Sequence, residues 1–449
     1  MSYGASLLVK GGTLVTPDGL LRADVKIVEG KVTAIGNNLT QAEVEEVLDA
    51  SNLLIFPGVV DEHVHMREPG LEYKEDFSHG TSAAAVGGVT TVIEHPNTLP
   101  PVENSSKLVN KAKLLESKAW VDFALHGVLH DSNSHELEDM VGAGAVGFKV
   151  YMGPTVGDLP SPSEGTLYEI LAKSSQLGLT LMFHAEDRSL VEFFTKRIAT
   201  SGRSDLRIHE DSRPPITEET SILKLIILSK RTGGRAHIAH VASTEAVELI
   251  RRAAADGVKV SGEVCPHYIT FTNDDYVKYG ALIKVFPPIR GRTHRESLLR
   301  AIKEGVISAL GSDHAPHARE EKLKNIWEAP AGISGVQTFF LVFLDLALKG
   351  ELPITVLPKL MSENPAKLFG LWPRKGSLRV GSDGDLVIVD PRGRTRVTEE
   401  WLRYKNRVTP YLGWEFQGEI RHVVIRGHLV VRGGLLSEKP VGVWLKRTE

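Results

Sequence analysis

Two histidines spaced two residues apart, His63 and His65, close the apolar run Val59-Val60-Asp61-Glu62-His63-Val64-His65-Met66. On a strand, residues i and i+2 face the same way, so both imidazoles can reach one metal ion side by side. The same spacing also suits a polar strand end, so the pair does not decide by itself. Lys149 lies in Ala145-Val146-Gly147-Phe148-Lys149-Val150-Tyr151-Met152, where Val146, Phe148, Val150 and Met152 share one face and Gly147, Lys149 and Tyr151 the other. With the bulky apolar face against helices, Lys149 points inward, with room left by Gly147. An isolated buried ammonium is costly. Such a lysine is paired, shifts its pKa, forms a Schiff base or is carboxylated into a metal-bridging anion, unless its stem lets the amine snorkel to the strand end. His184 and His240 each close a further apolar run, Leu179–His184 and Ala236–His240, and Asp313 follows Gly311-Ser312. Singly, these read as hydrogen-bonded histidines and a helix N-cap. Together they bring four histidines, a lysine and an aspartate to the ends of five strands.

The elements needed to converge them are present. From Val59 onward, strand-like runs recur at Val59–Met66, Val89–Glu94, Val121–Val128, Ala145–Met152, Thr180–His184, Ala236–Val241, Val258–Val264 and Val306–Leu310. Helical patterns such as Phe77–Val86, Ser105–Ser117, Thr217–Lys230, Thr244–Ala255 and Arg295–Glu304 separate them. This alternation predicts an α/β chain folded as a (β/α)8 TIM-type barrel, whose chemistry sits at the C-terminal ends of the strands. Strand count alone leaves a doubly wound sheet open. Short alternating strands between glycine turns mark both ends of the chain, among them Val25–Val28, Lys31–Ile35, Asp385–Val389 and His422–Arg426. The expected organisation is a small β-sandwich domain formed by residues 1–56 and 371–449 around a barrel at 57–370. The Pro-, Gly- and Ser-rich stretch Gly153–Gly165 is expected to be a mobile loop.

Composition narrows the function. The 449 residues carry 53 Lys plus Arg against 56 Asp plus Glu, a net charge of -3 that argues against non-specific binding of nucleic acid or a membrane surface. A hydrophobic content of 42% excludes wholesale disorder. The single cysteine, Cys265, excludes an intrachain disulfide and a cysteine-based zinc cluster, leaving the 17 histidines and the carboxylates to hold any metal. Fifteen of those histidines fall between His63 and His317. No targeting signal or apolar run of about 18 residues is evident, and a cytoplasmic protein is expected.

The segment Pro57-Gly58-Val59-Val60-Asp61-Glu62-His63-Val64-His65-Met66-Arg67-Glu68-Pro69-Gly70 resembles the signature of the cyclic amidohydrolases, a branch of the amidohydrolase superfamily. So do Val146-Gly147-Phe148-Lys149, Cys265-Pro266-His267-Tyr268 and Ser362-Glu363-Asn364-Pro365-Ala366. The resemblance implies two zinc ions, His63 and His65 holding one and His184 and His240 the other. A carboxylated Lys149 would bridge them, with Asp313 as a further ligand and general base. Arg67, Asn97 in Pro96-Asn97-Thr98, and His317 resemble the dihydroorotase set that holds a substrate carboxylate, and Ala331 and Gly332 the segment that contacts the ring. Thr155 is the expected lid contact. The resemblance therefore implies a dihydroorotase, interconverting N-carbamoyl-L-aspartate and dihydroorotate in pyrimidine biosynthesis as a dimer or tetramer. An allantoinase or a hydantoinase/dihydropyrimidinase-type ring hydrolase is the alternative; Glu94 has an allantoinase look, and Phe286 stands where many bacterial dihydroorotases have Asn. A non-catalytic structural homologue ranks below both, because such relatives lose metal ligands and here all six positions are filled.

Overall fold

The computed structural model describes residues 4–157, 159–203 and 205–448. The amino-terminal strands are β1 (Leu7–Thr16), β2 (Gly19–Val28), β3 (Lys31–Gly36), β4 (Glu46–Asp49) and β5 (Leu54–Pro57). Eight strands follow: β6 (Val59–Val64), β7 (Val89–Glu94), β8 (Asp122–Val128), β9 (Gly147–Tyr151), β10 (Thr180–His184), β11 (Arg235–Ile238), β12 (Val260–Val264) and β13 (Ala309–Leu310). The chain ends with β14 (Leu386–Arg396), β15 (Glu415–Ile425), β16 (His428–Arg432) and β17 (Leu435–Leu436).

Strands β6 to β13 pair in sequence order, and all of these pairings are parallel. Helices fill the crossovers, as the alternating pattern requires. The helix Thr244–Ala255 shows why. Its N-cap Ser243 accepts from Ala246 N at 3.2 Å, and Ala246, Val247, Ile250 and Ala253 form the buried stripe. First and last strands meet at the mouth, where His65 N–H donates to the His314 carbonyl at 2.7 Å beside a Val64–His314 bridge. The expected barrel is thus observed, nearly closed. The last strand is shorter than the apolar run Val306–Leu310, because only Ala309 and Leu310 pair with Glu263 and Val264.

The interior is layered with the two-residue period of its strands. Val60, Ile93, Ala124 and Met182 form an apolar plug with Phe369, Leu371 and Leu445. Two residues further along the same four strands stand Glu62, His95, His126 and His184, all buried. Apolar packing thus gives way to polar chemistry in one step toward the mouth.

The two chain ends share one nine-stranded sheet in the order β17-β16-β15-β14-β5-β1-β2-β3, with β4 added on β1. Its joint is the antiparallel β5–β14 pair, Leu54 opposite Val389 through Pro57 opposite Leu386. Leu7, Val25, Ile55, Leu386 and Val424 contribute to a separate small core. At the barrel base, Lys375 Nζ lies 2.9 Å from Asp383 and 2.8 Å from Asp385 and also pairs with Asp122 at the start of β8. Arg426 pairs with Asp122 from the other side. Among the described residues no helix is long and apolar enough to cross a membrane.

Candidate active site

The six residues singled out by type and spacing meet at the barrel mouth. His63 Nε2 and His65 Nε2 each lie 3.3 Å from Asp313 Oδ1. Lys149 Nζ is 3.4 Å from His63 Nε2, and His184 Nδ1 is 3.1 Å from His240 Nε2. Donors around a tetrahedral ion with bonds of about 2.0–2.1 Å stand about 3.3 Å apart. The spacing and the nitrogen-oxygen donor set therefore fit a metal centre. His63, His184 and His240 are held below the ordinary imidazole range by burial, which keeps them in the neutral, ligating form. Burial alone would raise the Asp313 carboxyl, but the His65, His267 and Lys149 groups around it hold it below its usual value. Burial lowers the Lys149 amine to about 8.

Holding side chains this close strains the backbone. Asp313, His240 and Arg67 all adopt positive φ, at 45°, 42° and 66°, a region that residues with a Cβ rarely occupy. All three line the same cavity.

Behind these side chains lies a set of orienting groups, of which the sequence singled out only Asn97, and for a different task. Glu263 Oε1 accepts from His63 Nδ1 at 2.9 Å and from the His240 backbone N–H at 3.0 Å. Asn97 Oδ1 accepts from His65 Nδ1 at 2.6 Å. Glu186 Oε2 lies 2.9 Å from His184 Nε2. The His95 ring stacks on His63 with centroids 4.2 Å apart. His63 and His65 thus each have Nδ1 held by an oxygen, and His184 Nε2 has one beside it, the arrangement that fixes ring orientation in metal sites. A glutamate at a strand end carries no sequence mark of this task, and Glu263 is 200 positions from the histidine it holds.

The six residues at the mouth open into a cavity that is also lined by Arg67, Asn97, Thr155, Ala331 and Gly332, and by Tyr151, Val156 and Phe286. Arg67 is anchored by its Nε, which donates to the Pro316 carbonyl at 3.1 Å. Gly332 has φ 143°, and a Cβ there would stand 2.3 Å from the Ala315 carbonyl oxygen, so only glycine fits. His317 is placed outside the cavity. Its Nε2 donates to Ala331 O at 2.9 Å and its Nδ1 stands 3.1 Å from Lys74 Nζ. Tyr151 was missed as a site residue, although it shares the Gly147–Lys149 face. Its hydroxyl has no hydrogen-bond partner among the described residues, and burial raises its pKa, so it stays protonated.

A model of the Amidohydrolase family matches residues 54–430. An allantoinase from Rubrobacter xylanophilus is 36% identical, over 98% of this chain and 97% of its own. An L-hydantoinase from Paenarthrobacter aurescens is also 36% identical, over 98% of each chain. The solved L-hydantoinase (dihydropyrimidinase) from Arthrobacter aurescens superposes with a TM-score of 0.95 at 35% identity, covering 99% of this chain and all of that one.

These relatives overturn the expectation of a dihydroorotase and of a place in pyrimidine biosynthesis. That expectation rested on Arg67, Asn97 and His317. Two of the three spend their polar atoms elsewhere: the Asn97 carbonyl serves His65, and His317 serves Ala331 and Lys74. Three matching residues do not make a preformed carboxylate cradle.

Proposed function

The chain belongs to the amidohydrolase family, and on that premise we propose that it opens a cyclic ureide of the allantoin–hydantoin type by hydrolysing a ring amide. The observation that carries this reading is the convergence of His63, His65, Lys149, His184, His240 and Asp313 at metal-ligand spacing in one cavity at the barrel mouth. Relatives named allantoinase and L-hydantoinase over nearly the whole chain support the substrate class.

His63 and His65 would hold one divalent ion, His184 and His240 a second, with zinc favoured by the nitrogen-rich donor set. Lys149 would bridge them as its carbamate, which supplies the oxygens a bare amine lacks; among the described residues no carboxylate stands in an ion pair with it. When bound, such a pair of ions lowers the pKa of a water and polarises the ring carbonyl. Asp313 takes the proton of the attacking water and delivers it to the ring nitrogen as the C–N bond breaks and the new C–O bond forms. The Tyr151 hydroxyl, protonated and unpartnered, donates to the carbonyl oxygen as negative charge develops there. Arg67 fixes the far edge of the ring through donors not used by Pro316.

The test is turnover of a substrate panel by the metal-loaded protein: allantoin, L- and D-5-substituted hydantoins, and dihydrouracil, with dihydroorotate as a control. Ring opening of at least one ureide is expected. Failure on every one, with two ions bound, rejects the reading.

A further inference from the structure

Arg213 lies outside the set of residues assigned above, yet it touches three parts of the site. Its Nη1 pairs with Glu186, the carboxylate beside His184. Its Nη2 donates to the Pro154 carbonyl at 2.7 Å, at the root of the segment that brings Thr155 and Val156 to the cavity. Its guanidinium lies over the Phe286 ring, 3.5 Å from the centroid, and Phe286 is cavity wall. The residue is 5% exposed, and its backbone is anchored by Arg290, whose Nη1 donates to the Arg213 carbonyl at 3.1 Å.

A second observation joins the same parts. Gly153, just before Pro154, packs so closely on Glu186 that an added Cβ would stand 2.4 Å from the Glu186 carbonyl oxygen. The loop root and the residue that orients His184 are thus in backbone contact as well as bridged by one side chain. A planar fork with donors on separate nitrogens can serve a carboxylate and a carbonyl at once, which an ammonium cannot do in fixed geometry.

We propose that Arg213 is a positioning residue that clamps the substrate-facing loop at Pro154 to the His184 end of the metal site through Glu186. The seating of Thr155 and Val156 over the substrate and the orientation of a metal ligand are then set by one guanidinium. Losing the whole guanidinium therefore loosens the loop and the metal ligand together, whereas losing only the Pro154 bond loosens the loop alone. The kinetic consequence rests on the ring-hydrolase reading; the metal and loop consequences do not.

The experiment uses the full chain with Arg213→Lys, Arg213→Gln and Gly153→Ala. It reads zinc affinity by chelator competition, hydrogen exchange of the peptide around residues 153–162, and ring-opening kinetics. Arg213→Lys keeps a charge beside Glu186 but loses the Pro154 bond. It should bind both ions nearly as tightly as the parent while loop exchange and KM rise about tenfold and kcat changes little. Arg213→Gln loses both contacts, and the more weakly held ion should bind about 10–100-fold less tightly. Gly153→Ala pushes the loop root off Glu186 and should speed loop exchange. Wild-type zinc affinity in Arg213→Gln, or unchanged loop exchange in Arg213→Lys and Gly153→Ala, overturns the proposal. Should Arg213→Gln fail to fold, the other two variants decide. Absence of turnover on every ureide, with the zinc and exchange results as expected, removes the ring-hydrolase reading and leaves the clamp.

Discussion

Glu263 holds His63 by its Nδ1 at 2.9 Å while the same oxygen accepts the backbone N–H of His240 at 3.0 Å. One buried carboxylate therefore orients a ligand from each half of the proposed metal pair. Burial, with Glu62 beside it, raises Glu263 to about 8, so its placement in the protein interior is costly unless it has this work to do. Glu263→Gln keeps the shape but puts an amide NH2 in place of one of the two oxygens that His63 Nδ1 and the His240 N–H share. Zinc affinity should fall about 10–100-fold with the fold retained. Isothermal titration giving parental affinity at both sites contradicts this.

Tyr151 offers a cleaner separation of chemistry from metal binding. Tyr151→Phe removes only the unpartnered hydroxyl. Metal content should be unchanged while kcat falls about 100-fold, the usual cost of one donor to a developing oxyanion. A change in KM alone shows instead that the hydroxyl only binds substrate.

The proposed bridge at Lys149 makes reconstitution depend on carbon dioxide. After chelation, activity should be lost. It should return slowly with zinc in carbon-dioxide-stripped buffer and quickly when bicarbonate is added. Recovery at one rate under both conditions rejects a carbamate at Lys149.

Glu75, which does not line the cavity, is buried and accepts from Lys405 N at 3.1 Å, and burial raises its pKa from 4.5 to about 8. A carboxyl with a higher pKa folded than unfolded favours folding most at acid pH. That advantage declines as pH rises from the ordinary carboxyl value through 8. Glu75→Gln, which cannot ionise, should match the parent near pH 4.5 and melt a few degrees higher near pH 8.5. Parallel Tm curves over that range refute the assignment.

The ion cluster at the barrel base is the counterpart in which charge is needed. Lys375, fully buried, faces Asp122, Asp383 and Asp385. Lys375→Met leaves those carboxylates short of one cation and should cost about 3–5 kcal/mol in denaturant unfolding. Zinc binding by the folded protein should be unaffected, because the base lies at the opposite end of the barrel from the mouth.

Much of the barrel was legible in the sequence because strand and helix periods differ and both recur. The two-residue period put Lys149 with Gly147 on the inner face, apolar runs ended at His184 and His240, and these three side chains, Lys149, His184 and His240, converge. Strand limits were less legible. Val258 and Val306 look like strand residues, but they bond back to the preceding helix ends at Ala253 and Ala301. The orienting shell was not legible: Glu263 and Asn97 act on histidines 200 and 32 positions away, and Glu186, two residues after His184, carries no sequence mark of this task. His317 shows the opposite error. Its position four residues after Asp313 suggested a place in the pocket. However, His314 bridges to both Val64 and Ile333, and the chain beyond it carries His317 behind Ala331. Substrate class was misread for a related reason. Three local matches resembled one branch, whereas similarity over the whole chain points to others.

The sheet that joins the two chain ends has a consequence for biogenesis. Strand β5 waits for β14, with Pro57 opposite Leu386. At a synthesis rate of about 5–20 residues per second, the wait on the ribosome is on the order of tens of seconds. Throughout that interval the newborn amino-terminal strands present an unpaired edge, the kind of surface that recruits chaperones or other strands. The barrel between them can close first, leaving the last-made strands to seal the first.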